Sequence, residues 1–102
     1  MLSVTIRDDG FSVFGHAKYA EYGKDIVCSA VSFTAQSISG ELRKYVETTE
    51  HKERGMMDVK LLTKSPESKV LLDYFADSSE VLAKMYPAHV KFTDLRNLGG
   101  KY

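Results

Sequence analysis

The spacing of apolar residues changes within the first half of the chain, and that change dictates the architecture. Residues 2–7, LSVTIR, place Leu2, Val4 and Ile6 at every second position with Ser3, Thr5 and Arg7 between them. That is the period of a strand with one buried face. From Asp25 onward Val27, Val31, Ala35, Ile38, Leu42, Tyr45 and Val46 recur at steps of three and four, which predicts an amphipathic helix of about five to six turns. Asp25 is the natural N-cap, because its carboxylate accepts the first-turn amides that have no partner inside the helix. Gly40 interrupts the helix at a cost of about 1 kcal/mol relative to alanine, which raises the expectation of a close helix or sheet contact there.

The remaining segments follow the same two periods. Asp8-Asp9-Gly10 has tight-turn chemistry, so residues 11–15, FSVFG, form a second strand and the chain opens on a hairpin. Residues 15–23 fit no period, carry glycine at both ends and read as a loop with Gly15 and Gly23 as hinges. Residues 47–55, ETTEHKERG, read as a polar connector and residues 56–63 as a third strand. Ser65-Pro66-Glu67 opens a second helix, with serine as cap and proline preorganised at the first helical position. Its apolar stripe is Val70, Leu71, Tyr74, Phe75, Val81, Leu82 and Met85, expected in the core, and Pro87 ends it. Residues 88–95 alternate through Val90 and Phe92 as the last strand, and the tail NLGGKY is expected to fray. The predicted order is strand, strand, helix, strand, helix, strand. This is an α+β domain spanning residues 1–102, with two helices on one face of a four-stranded sheet.

Charge narrows the function classes. Lysine plus arginine and aspartate plus glutamate number 14 each, and a balanced chain lacks the basic excess of a dedicated nucleic-acid binder. A single cysteine cannot form an internal disulfide. The N-terminus has no signal-peptide pattern, and no stretch reaches the roughly 20 apolar residues of a membrane span. The expected compartment is therefore the reducing cytoplasm, where a lone thiol persists.

Chemistry concentrates at Cys28 and His16. With Asp25 as the cap, Cys28 falls at the third helical position, where backbone amides and the helix dipole favour an anion. A thiolate is such an anion, and helix starts acidify thiols from a free value of about 8.5. The competing reading is a small buried hydrophobe beside Val27 and Val31. His16 stands where the second strand gives way to the loop. If the loop folds so that strand end and helix start meet, its imidazole can take the thiol proton and later protonate a leaving amine.

Residues 15–32 read GHAKYAEYGKDIVCSAVS. Gly15, His16, Ala17, Gly23, Asp25, Ile26, Val27, Cys28 and Ser32 all match the active-site signature of the ribosomal-processing cysteine protease family, Prp, which this segment resembles. Ser29 stands where the family most often has alanine. The resemblance implies a cytoplasmic, homodimeric cysteine endopeptidase; no cofactor is expected, and a zinc site at His16, Cys28 and Asp25 would want a fourth ligand and closer spacing. Such an enzyme removes a short N-terminal extension from a large-subunit ribosomal protein precursor, cutting after a pair of phenylalanines. It implies Cys28 as nucleophile and His16 as general base and acid; from charge and hydropathy, no direct nucleic-acid contact and no membrane are expected.

Supporting roles stay open. Asp25 caps the helix, orients His16, or does both. Ser32, one turn beyond Cys28, polarises the scissile carbonyl, holds a water, or is a plain helix-surface serine. The amide of Cys28 is a candidate oxyanion donor. Tyr19 and Tyr22 either contact an aromatic substrate or pin the loop. His51 is expected in solvent and His89 at a strand edge. Two rivals remain: a non-enzymatic ribosome- or RNA-associated module, and a thiol acyltransferase or thioesterase that shares the same pair.

Overall fold

The structure is a computed structural model, and it describes residues 1–16 and 25–96. The elements are β1 (Leu2–Arg7), β2 (Gly10–Gly15), α1 (Ile26–Leu42), β3 (Thr48–Glu53), β4 (Met56–Leu61), α2 (Pro66–Met85) and β5 (Val90–Asp94). The sheet has five strands in the order β3-β4-β2-β1-β5. β1 pairs antiparallel with β2 and parallel with β5, and β4 joins β2 to β3, both antiparallel. The fold class is α+β as expected, but the sheet has one strand more than the sequence suggested, and the order of elements changes accordingly.

The extra strand is β3, which lies within the segment read as a polar connector. Thr48, Thr49, Glu50, His51, Lys52 and Glu53 carry no apolar alternation, because β3 is an edge strand with almost nothing to bury. Its structure comes from the ladder with β4, where Glu50 faces Val59 and Lys52 faces Met57. Charged side chains on such an edge also discourage another chain from adding to it.

The first hairpin closes as expected. Gly10 adopts φ +145°, and a Cβ there would run into the carbonyl oxygen of Val59 on β4, so only glycine admits that close approach. Leu2, Val4 and Ile6 of β1, Phe11 of β2, Met57, Val59 and Leu61 of β4, and Val90 of β5 supply the sheet side of the core. Val27, Val31, Ala35, Ile38 and Leu42 of α1 and Leu72, Phe75 and Ala76 of α2 supply the helix side.

Both helices are capped as the sequence indicates, but their faces and lengths differ from it. α1 ends at Leu42. Tyr45 lies beyond it and is exposed, while Val46, also beyond it, packs against the core. α2 has a reciprocal capping box between Ser65 and Ser68. Its buried face is Ser68, Leu72, Phe75, Ala76 and Ser79. Val70, Tyr74, Val81 and Met85, expected in the core, are exposed. The small residues on the inner face let α2 sit close to α1 and the sheet, so the bulkier stripe is left outside.

Gly40 has no close contact to justify it. A Cβ there would meet only the guanidinium of Arg43, at 3.8 Å. Gly40→Ala is therefore expected to stabilise the protein by about 0.5–1 kcal/mol. The check is a higher midpoint of thermal unfolding, and a lowered midpoint would contradict the open space.

Candidate active site

The start of α1 fixes Cys28. Asp25, buried and with extended backbone angles, accepts hydrogen bonds at Oδ1 from the amides of Val27 (3.0 Å) and Cys28 (2.9 Å). Its carbonyl accepts the amide of Ser29 at 3.0 Å. Cys28 is the third residue of α1, half-buried and packed against the core. The capping role read for Asp25 is present. The bond that makes it engages the Cys28 amide, the candidate oxyanion donor.

The end of β2 fixes His16. Gly15 has φ +93°, and a Cβ on it would run into the carbonyl oxygen of Met1, so the strand leaves the sheet at a point only glycine allows. The amide of Gly15 donates to the carbonyl of Gly55 at 2.8 Å. Gly55 lies in the turn between β3 and β4 and has φ +74°. His16 follows as an exposed residue.

His16, Cys28 and Ser32 line one cleft of about 230 Å³. Val13, Val31, Ala35 and Met57 add apolar surface, and Lys52, Glu53, Gly55 and Met56 contribute from the β3–β4 hairpin. Ser32 Oγ accepts from Gln36 Nε2 at 3.1 Å, and Gln36 Oε1 accepts from Lys52 Nζ at 3.4 Å. Ser39 Oγ donates to Glu50 at 2.9 Å. These bonds tie α1 to β3 beside the cleft, and they leave the Ser32 hydroxyl proton as its donor. The chemistry such a cleft supports is attack by sulfur on a carbonyl, with an imidazole alongside to move the proton.

Ala17, Tyr19, Tyr22 and Gly23, in the segment read as a loop that covers the substrate, lie outside the described residues, as does the tail expected to fray. His51 is exposed on β3, 3.2 Å from Glu53. His89 immediately precedes β5, half-buried, its carbonyl accepting the amide of Leu2. The hairpin residues that flank the cleft were missed from the sequence. The available signal was Arg54-Gly55 between two short runs, the first opened by β-branched Thr48 and Thr49.

A larger hollow, about 690 Å³, lies at the N-terminus of α2 and is lined by Ser65, Lys69, Asp73, Asp94 and Arg96, among others. Its charges are matched. Arg96 bonds Asp94 through two nitrogens and Asp73 through a third. The hydrogen bond from Lys69, then that from Arg96, holds the Asp73 carboxyl below the usual carboxylate range, and Asp94 is the largest influence raising Arg96. None of its lining residues is a histidine or cysteine.

A family model described as cysteine protease Prp matches residues 1–91. The ribosomal processing cysteine protease Prp of Mycoplasma genitalium is 30% identical over 91 residues, covering 88% of this chain and 92% of that protein. The crystal structure of a ribosomal processing protease Prp from S. aureus, in complex with a covalently linked product peptide, superposes with a TM-score of 0.86 at 19% identity. It covers 92% of this chain and 99% of that one. SMU.848 from Streptococcus mutans superposes with a TM-score of 0.72 at 24% identity, covering 93% and 92%.

Proposed function

The chain belongs to the cysteine protease Prp family and is a cysteine protease; from that premise we propose that Cys28 is its nucleophile and His16 its general base and acid. The observation that carries this reading is that the end of β2 and the start of α1 bring an imidazole and a thiol to one cleft. Sulfur attacks the scissile carbonyl carbon, and the proton it gives up passes to the imidazole. His16 returns that proton to the departing amine, leaving a thioester acyl-enzyme. Water, deprotonated by His16, attacks the thioester carbonyl; the C–S bond breaks, the acid product leaves and the proton returns to sulfur.

The substrate is the N-terminal extension of a large-subunit ribosomal protein precursor, cut after a phenylalanine pair. The relative from Mycoplasma genitalium is a ribosomal processing protease by name. The apolar surface from Val13, Val31, Ala35 and Met57 next to Cys28 suits an apolar side chain beside the cut. The test is incubation with a peptide containing two consecutive phenylalanines and mass identification of the products. Cleavage after the second phenylalanine is expected. A cut elsewhere would reject the specificity, and an inert enzyme would reject the substrate.

The reading places the enzyme in the cytoplasm as a homodimer. Among the described residues no helix is long and apolar enough to cross a membrane. The exposed stripe of Val70, Tyr74, Val81 and Met85 on α2 supports self-association, and a monomer in sedimentation at assay concentration would remove the dimer. The non-enzymatic module raised from the sequence falls with membership of a protease family.

A further inference from the structure

We infer that Gly55, in the turn between β3 and β4, is a positioning residue that seats the His16 imidazole for proton transfer with Cys28. The inference rests on the reading of His16 as base and acid. A base must sit within hydrogen-bond reach of the proton it moves, and displacement by about 1 Å can cost on the order of a hundredfold in rate. Yet His16 is an exposed side chain at the end of a strand, free to choose among rotamers unless something restrains it.

What borders the ring in the described structure is the bare α-carbon of Gly55, which leaves open the space a side chain would fill. A Cβ built there would lie 2.9 Å from His16 Nε2, 3.5 Å from Cε1 and 3.7 Å from Cδ2. The nearest atom is Nε2 and the next two are its ring neighbours, so the turn abuts the far end of the imidazole. The amide of Gly15 donates to the carbonyl of Gly55 at 2.8 Å, clamping this stop to the residue just before His16. Stop and ring are thus held in one frame.

Backbone conformation alone does not demand glycine at this point. The φ of +74° is one that asparagine also tolerates. The ring contact is a second, separate demand, because any Cβ occupies the space beside Nε2. The atom it meets is the tip of a side chain. At Gly10 and Gly15, by contrast, the obstacle is a backbone carbonyl. A side chain at Gly55 therefore pushes the imidazole aside and leaves the strands in place.

The test compares Gly55→Asn with wild type and with His16→Ala, by steady-state cleavage of the diphenylalanine peptide, thermal unfolding and NMR of the His16 ring. Gly55→Asn is expected to keep its unfolding midpoint within a few degrees, to lose kcat by about ten- to a hundredfold with KM little changed, and to shift the ring resonances of His16. Wild-type kcat in Gly55→Asn beside an inactive His16→Ala would overturn the inference. Full activity in His16→Ala would overturn instead the reading on which it rests. Should Gly55→Asn fail to fold, the wild-type protein decides the matter. A nuclear Overhauser contact between the Gly55 α-protons and the His16 ring is expected, and its absence refutes the seating.

Discussion

Cys28→Ala is expected to reduce peptide cleavage by on the order of 10⁴-fold or more, since loss of a nucleophile removes the covalent route and leaves only binding and positioning. That factor corresponds to about 5.5 kcal/mol of transition-state stabilisation. The fold should survive. Cys28 is half-buried at the rim of the cleft, and the substitution removes one sulfur without disturbing the Asp25 cap, which uses the backbone amide of residue 28. Cys28→Ser should be similarly inactive, because a hydroxyl is far harder to deprotonate than a thiol. The measurement is kcat/KM on the diphenylalanine peptide, with thermal unfolding run in parallel. Cleavage retained by either variant, with the fold intact, removes Cys28 from the chemistry.

Phe75→Ala is expected to destabilise the protein by about 3–5 kcal/mol, the cost of losing a buried aromatic side chain together with the cavity it leaves. Phe75 is fully buried on the inner face of α2, and its ring centroid lies 4.5 Å from that of Phe11 on β2. This pair joins the second helix to the middle of the sheet. A domain of this kind has only about 5–15 kcal/mol in total, so the variant should be marginal at room temperature. Urea denaturation gives the value directly. A loss below about 1 kcal/mol would show that the two rings do not carry the core. Phe11→Ala should cost a similar amount, and the double variant less than the sum, because the two side chains are in contact.

What could be read from the sequence was what is decided locally. The β1–β2 hairpin is specified by Asp8-Asp9-Gly10 and the alternation on either side. The start of α1 is specified by Asp25 and that of α2 by Ser65-Pro66, and all of these elements are where the residues indicated. His16 and Cys28 stood out for a different reason, the likeness of residues 15–32 to a family signature, since the spacing of the two residues alone is a weak signal. β3 was not legible, because its strand character depends on β4 and its exposed edge keeps it polar. The working face of α2 was not legible either. Val70, Tyr74, Val81 and Met85 match helical periodicity as well as Leu72, Phe75 and Ala76 do, and only packing against α1 and the sheet selects the face with Ala76 and Ser79. The contact between Gly55 and His16 joins a turn to a strand end far apart in sequence, so no local pattern announces it.

The parallel pairing of β1 with β5 has a consequence for how the molecule comes into being. The two strands are drawn from opposite ends of the chain, with Leu2 beside Val90 and Ile6 beside Asp94. While the polypeptide is being translated, one border of its first strand stays open until the last strand emerges. Closure of the sheet must wait until Val90–Asp94 has been made, so a nascent chain stalled short of Val90 would hold its signature segment without a finished scaffold beneath it.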